Sequence, residues 1–123
     1  MKIVIEAGSV RMEAELNDSP TAVKVGEALP VEGSAKLCGD EIYLEIPVSA
    51  AQEADAREIV EVGTLGYWPV GHAFCIFFGP TPVSTDVRPR AYSPCNILGR
   101  VSGDATEFRK VRNGVTVTLS RAE

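Results

Sequence analysis

Apolar and polar residues alternate along much of the chain. Over residues 10–16, apolar side chains at the even positions alternate with the charged Arg11, Glu13 and Glu15. A repeat of two residues is typical of a β-strand with one buried face. The same alternation, or a short apolar run, predicts strands at 2–7, 31–37, 42–46, 59–62, 73–78, 95–101 and 115–119. The sequence therefore predicts about eight strands, with the first two joined as a hairpin by a short turn.

Two segments depart from this alternation and predict short helices. Asp18 or Ser19 can cap a first helix, which has a proline in its first turn and ends at Pro30. Asp104, followed three residues later by Glu107, has the spacing of a capping box at the start of a second helix. So many short strands in one small chain favour an all-β barrel whose ends are capped by one or two short helices.

Length and composition predict a single domain over residues 1–123. Hydrophobic residues make up 45% of the chain and charged residues 24%, as in ordinary globular domains. Seventeen acidic residues against twelve basic ones give a net charge of −5, which argues against a nucleic-acid partner. The longest apolar run, 73–78, is too short to cross a membrane. We therefore expect no membrane partner and a cytoplasmic location, while the oligomeric state stays open.

Few residues suit metal or covalent chemistry. Cys38, Cys75 and Cys95 are odd in number and contain no C-x-x-C pair, so we expect buried free thiols rather than disulfides or zinc ligands. His72 is the only histidine, which argues against a catalytic triad and against a histidine-rich metal site. No glycine-rich phosphate loop occurs. We predict no metal and no cofactor, and we assign no catalytic residue.

The segment 63–99 is the most distinctive part of the chain. It holds six of the eight aromatic residues together with five prolines and five glycines. Aromatic side chains on a rigid backbone can line a ligand groove. The candidates for such a groove are three aromatic and two hydroxyl residues: Tyr67, Trp68, Phe77, Thr81 and Ser84. The alternative is that the aromatic rings belong to the core and that the hydroxyls satisfy loop backbone.

Three polar residues near this segment complete the ligand-binding candidates. His72 can serve as a proton donor or acceptor at a groove, or lie in a surface loop. Arg88 and Arg100 can receive a carboxylate or phosphate from a ligand, or be ordinary surface charges. Residues 1–61 hold thirteen acids and five bases, net −8, whereas residues 62–123 hold four acids and seven bases, net +3. The half that contains the aromatic segment therefore carries a net positive charge, and Arg88 and Arg100 lie close to that segment in sequence.

Three segments carry a family resemblance: GDEIYLEIPV at 39–48, YWPVGHAFCIFFGPTPVS at 67–84, and SPCNILGRV at 93–101. They resemble a small bacterial and archaeal cyclophilin-like family of uncharacterised function, and the resemblance covers nearly the whole chain. It implies a closed cyclophilin-like β-barrel.

The more distant true cyclophilins are prolyl isomerases, and the resemblance raises that activity for this chain. In those enzymes an arginine stands just before an Ile-Pro pair and holds the substrate carbonyl as the amide twists. Here the pair is Ile46-Pro47, and Glu45 stands in the arginine's place. A carboxylate cannot donate that hydrogen bond. The usual catalytic motif is absent, and a substitute would have to come from Arg88, Arg90 or Arg100.

Three functions remain open on this basis. The favoured one is the binding of a peptide segment or a small molecule in the aromatic groove. The second is a peptidyl-prolyl isomerase with a non-standard site. The third is a non-catalytic oligomerisation or scaffold module.

Overall fold

The computed structural model describes residues 1–122 and shows a mainly β protein. Its strands are β1 (Lys2–Ala7), β2 (Val10–Leu16), β3 (Val31–Ser34), β4 (Lys36–Leu37), β5 (Glu41–Glu45), β6 (Arg57–Ile59), β7 (Thr64–Trp68), β8 (Ala73–Phe77), β9 (Arg90–Val101) and β10 (Thr116–Arg121). The helices of this part of the chain are α1 (Pro20–Ala28) and two 3₁₀ helices, Pro69–Gly71 and Ala105–Lys110. None of them is long and apolar enough to span a lipid bilayer.

All ten strands belong to one antiparallel sheet. Its order is β3-β10-β1-β2-β9-β7-β8-β5-β4, and β6 pairs with β9 beside this path. The predicted hairpin is confirmed, because Lys2 lies opposite Glu15 and Ala7 opposite Val10. The prediction of a closed barrel is wrong: among the described residues, no hydrogen-bonded strand pair joins the two ends of the sheet.

The reason lies in the segment 31–37, which was predicted as one strand. It splits at the buried Ala35, whose N–H and carbonyl bond to the loop before β10. The part before Ala35 pairs with β10, and the part after it pairs with β5. The chain thus passes from one end of the sheet to the other without forming a continuous ladder of hydrogen bonds. Because β3 and β4 do not pair with each other, the sheet does not close into a barrel.

The number of strands also differs, ten instead of about eight. The split just described adds one strand, and β7 adds another. The sequence does not predict β7 because a glycine and a proline, Gly66 and Pro69, lie within or beside it and are typical turn residues. The predicted second helix is present as a 3₁₀ helix, capped by Asp104 through the N–H of Thr106.

The strands β7 and β8 are buried on both faces, whereas β5 and β9 also carry exposed residues. In β8, Phe74 and Ile76 face the main core, whereas Cys75 and Phe77 face a second, smaller apolar cluster. Successive strand residues point to opposite faces, so this division follows directly from the pleat. The second cluster lies on the face of these strands that is turned away from the main core.

The start of α1 offers a test of the local fold. The hydroxyl oxygen of Ser19 accepts a hydrogen bond from the N–H of Ala22 at 3.3 Å, so Ser19 is the cap. Ser19→Ala should lower the free energy of unfolding by about 1 kcal/mol, because one N–H of the first turn loses its partner. Urea unfolding of this variant can be compared with Ser9→Ala, which changes an exposed serine in the β1–β2 turn. Equal stability of the two variants would contradict the assignment of the cap.

Candidate functional site

A cavity of about 80 Å³ lies over the second apolar cluster, on the face turned away from the main core. We call it the Glu41 cavity. Residues from β5, β7 and β9, together with one from the turn after β4, line it: Cys38, Glu41, Tyr43, Trp68, Ala91, Tyr92 and Cys95. The β5 and β9 residues are separated along the sheet by β7 and β8, so the cavity exists only in the folded chain.

Glu41 is the polar residue that distinguishes this cavity. Alternation along β5 places Glu41 and Tyr43 on one face and Ile42 on the other, in the main core. Glu41 is only 7% exposed. Among the described residues, no lysine or arginine lies within ion-pair distance of its carboxylate.

This burial changes the acidity of Glu41. Removal from water raises the pKa of the carboxyl to about 7, and a hydrogen bond with the Cys75 thiol opposes the rise in part. The group therefore changes protonation near neutral pH. A carboxyl with such a pKa can accept or donate a proton, and it can also pair with a cation that enters the cavity.

Aromatic side chains form much of the cavity wall. The rings of Tyr43 and Trp68 meet edge to face, with centroids 6.2 Å apart and planes at 83°. The Trp68 indole N–H donates a hydrogen bond to the Ser93 hydroxyl at 2.6 Å, which fixes the orientation of the ring. Tyr92 is 62% exposed and marks the side where the cavity meets solvent. The Lys36 ammonium lies 6.0 Å from the centroid of the Tyr43 ring.

The three cysteines lie at or beside the Glu41 cavity. All three are free; Cys75 and Cys95 are buried, and Cys38 is partly exposed, so the prediction of three buried thiols holds for two. Burial, and then the charge of Glu41, raise the pKa of Cys38. A hydrogen bond with Cys95, and then burial, hold the pKa of Cys75 well above its usual range. Within residues 1–122, no three histidine, cysteine or acidic side chains are grouped so that they could hold a metal ion.

The three aromatic candidates, on β7 and β8, lie in three different surroundings. Trp68 lines the Glu41 cavity. Tyr67 is fully buried in the main core, where its hydroxyl donates to the carbonyl of Val48. Phe77 is fully buried in the second cluster, behind the cavity wall. Tyr67 and Phe77 therefore do not face a ligand, because strand alternation and close packing place them inside.

The hydroxyl candidates hold a loop together. The Thr81 hydroxyl donates to the carbonyl of Arg90. The Ser84 oxygen accepts from the Thr81 N–H at 2.9 Å and donates to the Arg88 carbonyl at 2.8 Å. Both residues thus satisfy loop backbone, the structural alternative considered for them, and neither lines the cavity.

The charged candidates also lie outside the cavity lining. Arg88 is exposed and pairs with Asp86 at 2.7 Å, while Arg90 pairs with Glu58 at 3.1 Å. Arg100 is exposed on β9. His72 is exposed, directly after the first 3₁₀ helix, with a positive φ of 50°. Of the eight ligand-binding candidates, all within the described chain, Trp68 is the one at the cavity.

Glu41 was not among the sequence-based candidates. Its alternation with apolar neighbours predicts that it lies on the exposed face of a half-buried strand. The available signal was its place two residues before Tyr43, one of only two aromatic residues outside the segment 63–99. That signal could not show that residues from β9 cover the same face.

The Trp68 indole packs against Gly71, where a side chain would collide with it, and this contact allows a direct test of the cavity wall. A Cβ at Gly71 would lie 2.6 Å from the indole Cε3, so Gly71→Ala should displace the ring and weaken its bond to Ser93. Trp68 is the only tryptophan, and its fluorescence reports the change. We expect a shifted emission maximum and a stability loss of about 1–3 kcal/mol. In Gly103→Ala, a control whose nearest contact would be 3.8 Å, the spectrum should match the wild type. An unshifted spectrum for Gly71→Ala would contradict this packing.

The family model described as cyclophilin-like matches residues 1–120. The chain belongs to the cyclophilin-like family. The resemblance seen in the sequence is thereby confirmed. No curated protein matches this cyclophilin-like chain at a significant level.

Two solved structures are similar to this cyclophilin-like protein. The solution structure of a hypothetical protein from Archaeoglobus fulgidus is 35% identical, with a TM-score of 0.83, over 99% of this chain and 95% of that one. The structure of McbB in complex with tryptophan is 18% identical, with a TM-score of 0.66, over 97% of this chain and 44% of that one. At that identity, the second match shows a shared fold and carries no function across.

Proposed function

We propose that this cyclophilin-like protein is a binding protein that holds part of a small ligand in the Glu41 cavity. The observation that carries the proposal is a buried carboxylate that has no ion-pair partner within residues 1–122 and lies at a cavity walled by aromatic rings. Ligand sites are typically concave and largely apolar, with a few polar groups that fix orientation. Glu41 provides such a polar group, and Tyr43, Trp68 and Tyr92 provide the apolar surface.

The size of the cavity supports a small ligand group over a length of extended peptide. Its volume is about 80 Å³, whereas a cavity of about 150 Å³ is known to enclose benzene. A narrow group of a few atoms fits inside, while the rest of the ligand lies toward the exposed Tyr92. A peptide would have to present a single side chain to this cavity.

The alternative of prolyl isomerisation receives no support from the positions of the arginines. Arg88 and Arg90 are engaged by Asp86 and Glu58, and Arg100 stands away from the cavity lining. The residue before the Ile-Pro pair, Glu45, is an exposed acid at the end of β5. Binding is therefore the function that these residues favour.

The binding proposal can be tested by filling the cavity. Ala91 is 3% exposed and lines it, so Ala91→Leu places three more carbon atoms into the space. Compounds from a library of small, water-soluble molecules can be titrated while Trp68 fluorescence is recorded. We expect hits on the wild-type protein and at least a tenfold loss of affinity in Ala91→Leu, because the ligand and the leucine compete for one volume.

Matched controls make this test decisive. Ala54→Leu introduces the same side chain on an exposed loop and should leave binding unchanged. Tyr92→Ala, at an exposed position, opens the cavity without burying new atoms and guards against a folding defect in Ala91→Leu. Hits that bind all three variants with unchanged affinity would refute the proposal, as would a library without any hit.

A further inference from the structure

We propose that the ligand of the Glu41 cavity is a small organic amine whose protonated ammonium group pairs with Glu41. This inference rests on the proposed binding function and specifies the chemical class of the ligand. The ammonium would lie against the Glu41 carboxylate, and its alkyl part would lie between the Tyr43, Trp68 and Tyr92 side chains.

Within residues 1–122, the Glu41 carboxylate lacks a counter-charge. Buried carboxylates in proteins are normally paired with a cation or a metal, because an isolated buried charge is costly. Only 7% of Glu41 is exposed, and no lysine or arginine of the described chain lies within ion-pair distance of its carboxylate. A bound ammonium supplies that charge. The ionised carboxylate would instead repel an anionic group of a ligand that came within about 4–6 Å of it.

The aromatic walls of the cavity also favour a cation. The faces of tyrosine and tryptophan rings carry negative charge density and attract cations. The chain already uses this property once, since the Lys36 ammonium lies 6.0 Å from the centroid of the Tyr43 ring. Aromatic walls combined with one buried acid therefore form an environment that favours a compact cation over a neutral molecule of equal shape.

The titratable groups around Glu41 make the interaction depend on pH in a defined way. They are Tyr43 on the same strand, Cys38 from the turn after β4, Cys75 on β8, and Tyr92 and Cys95 on β9. Lys36 is the charged group beyond Tyr43. The pKa of Cys38, Cys75 and Tyr92 is raised, so these groups stay protonated near neutral pH.

Glu41 thus sets the pH dependence in the neutral range. Its pKa in the free protein is about 7, so protonation competes with the amine below that pH. Affinity for the amine should rise about tenfold per pH unit below pH 7 and level off above it, until the amine itself loses its proton.

The test uses three probes of similar shape: butylammonium, 1-butanol and butanoate. Each is titrated at pH 8, and Trp68 fluorescence and the indole N–H signal in NMR spectra report occupancy. We expect butylammonium to bind at least tenfold more tightly than 1-butanol, and butanoate to bind most weakly. Glu41→Gln should abolish the advantage of the cation. Glu45→Gln, the same change on the same strand at an exposed position outside the lining, should keep it.

The outcomes separate this inference from the binding proposal. Equal affinity for butylammonium and 1-butanol, with both lost in Ala91→Leu, would leave the binding site in place and overturn the amine. No response at Trp68 to any probe, together with an empty library screen, would overturn both. Binding of N-acetyl-lysine amide without binding of butylammonium would overturn the small-molecule ligand in favour of a peptide side chain.

Discussion

Glu41→Gln should make the protein more stable at pH 8, by about 3 kcal/mol. A rise in the carboxyl pKa from 4.5 to about 7 means that ionisation at high pH costs the folded state about that much. The folded state binds the proton more tightly than the unfolded state. The cost is therefore absent below pH 4.5, grows as the pH rises toward 7, and is constant above it. Glutamine avoids this cost because it stays neutral.

Urea unfolding at pH 4.5 and pH 8 checks this expectation. Wild type and Glu41→Gln should have similar free energies of unfolding at pH 4.5, and the variant should have the larger free energy of unfolding at pH 8. Glu45→Gln changes an exposed acid and should shift stability little at either pH. A Glu41→Gln variant that is less stable at pH 8 would show that the carboxylate has a stabilising partner. A variant that gains stability and loses amine binding fits an acid retained for function.

Gly99→Ala should be strongly destabilising, by about 3–5 kcal/mol. Gly99 has a φ of 150°, and a Cβ there would lie 1.9 Å from the Glu15 carbonyl oxygen. Its backbone lies between β2 and β7, opposite Leu16 on one side and Leu65 on the other. The strained residue would force β2 and β9 apart, and β9 carries three residues of the Glu41 cavity wall.

Denaturant unfolding measures this effect directly. Gly103→Ala, where the added carbon would find only ordinary contacts with Met12, serves as the control and should cost far less. If Gly99→Ala were as stable as Gly103→Ala, the close approach of β2 and β9 at this position would be contradicted.

Local patterns were sufficient for the elements whose neighbours are also close in sequence. The alternation in β1 and β2 predicted both strands and their hairpin, and a cap at Asp18 or Ser19 before Pro20 predicted the start of α1. The resemblance to cyclophilin-like proteins also came from the sequence, through the motif residues of 67–84, and the family model supports it. In these cases the deciding interactions lie within a few residues, so the sequence carries them directly.

The closure of the sheet and the strand β7 could not be predicted in this way. Whether 31–37 forms one strand or two depends on β10 and β5, which lie far apart in the chain. Gly66 and Pro69 are typical of turns, yet Gly66 lies in β7 between β8 and β9. Strand pairing overrides the local preference there.

The absence of β7 from the prediction explains why Tyr67 and Trp68 are grouped as candidates for one groove. Neighbouring residues of a strand point to opposite faces, so Tyr67 and Trp68 cannot both line one cavity once β7 is known. For a different reason, the sequence does not indicate Glu41 as a candidate. The sequence predicts its strand with the outer face in water, whereas residues of β9, about fifty positions later in the chain, cover that face. Burial of that face is a long-range property of the fold.

The central claim is that the Glu41 cavity binds an organic cation, and one NMR titration tests it most directly. Protein labelled with ¹³C and ¹⁵N is titrated with butylammonium at pH 8 while two signals are followed together: the carboxyl carbon of Glu41 and the indole N–H of Trp68. The account predicts that both signals shift with one common affinity, while the backbone signals of His72 and Arg88 stay in place. Unchanged Glu41 and Trp68 signals, or shifts centred on His72, Arg88 or Arg100, would contradict it.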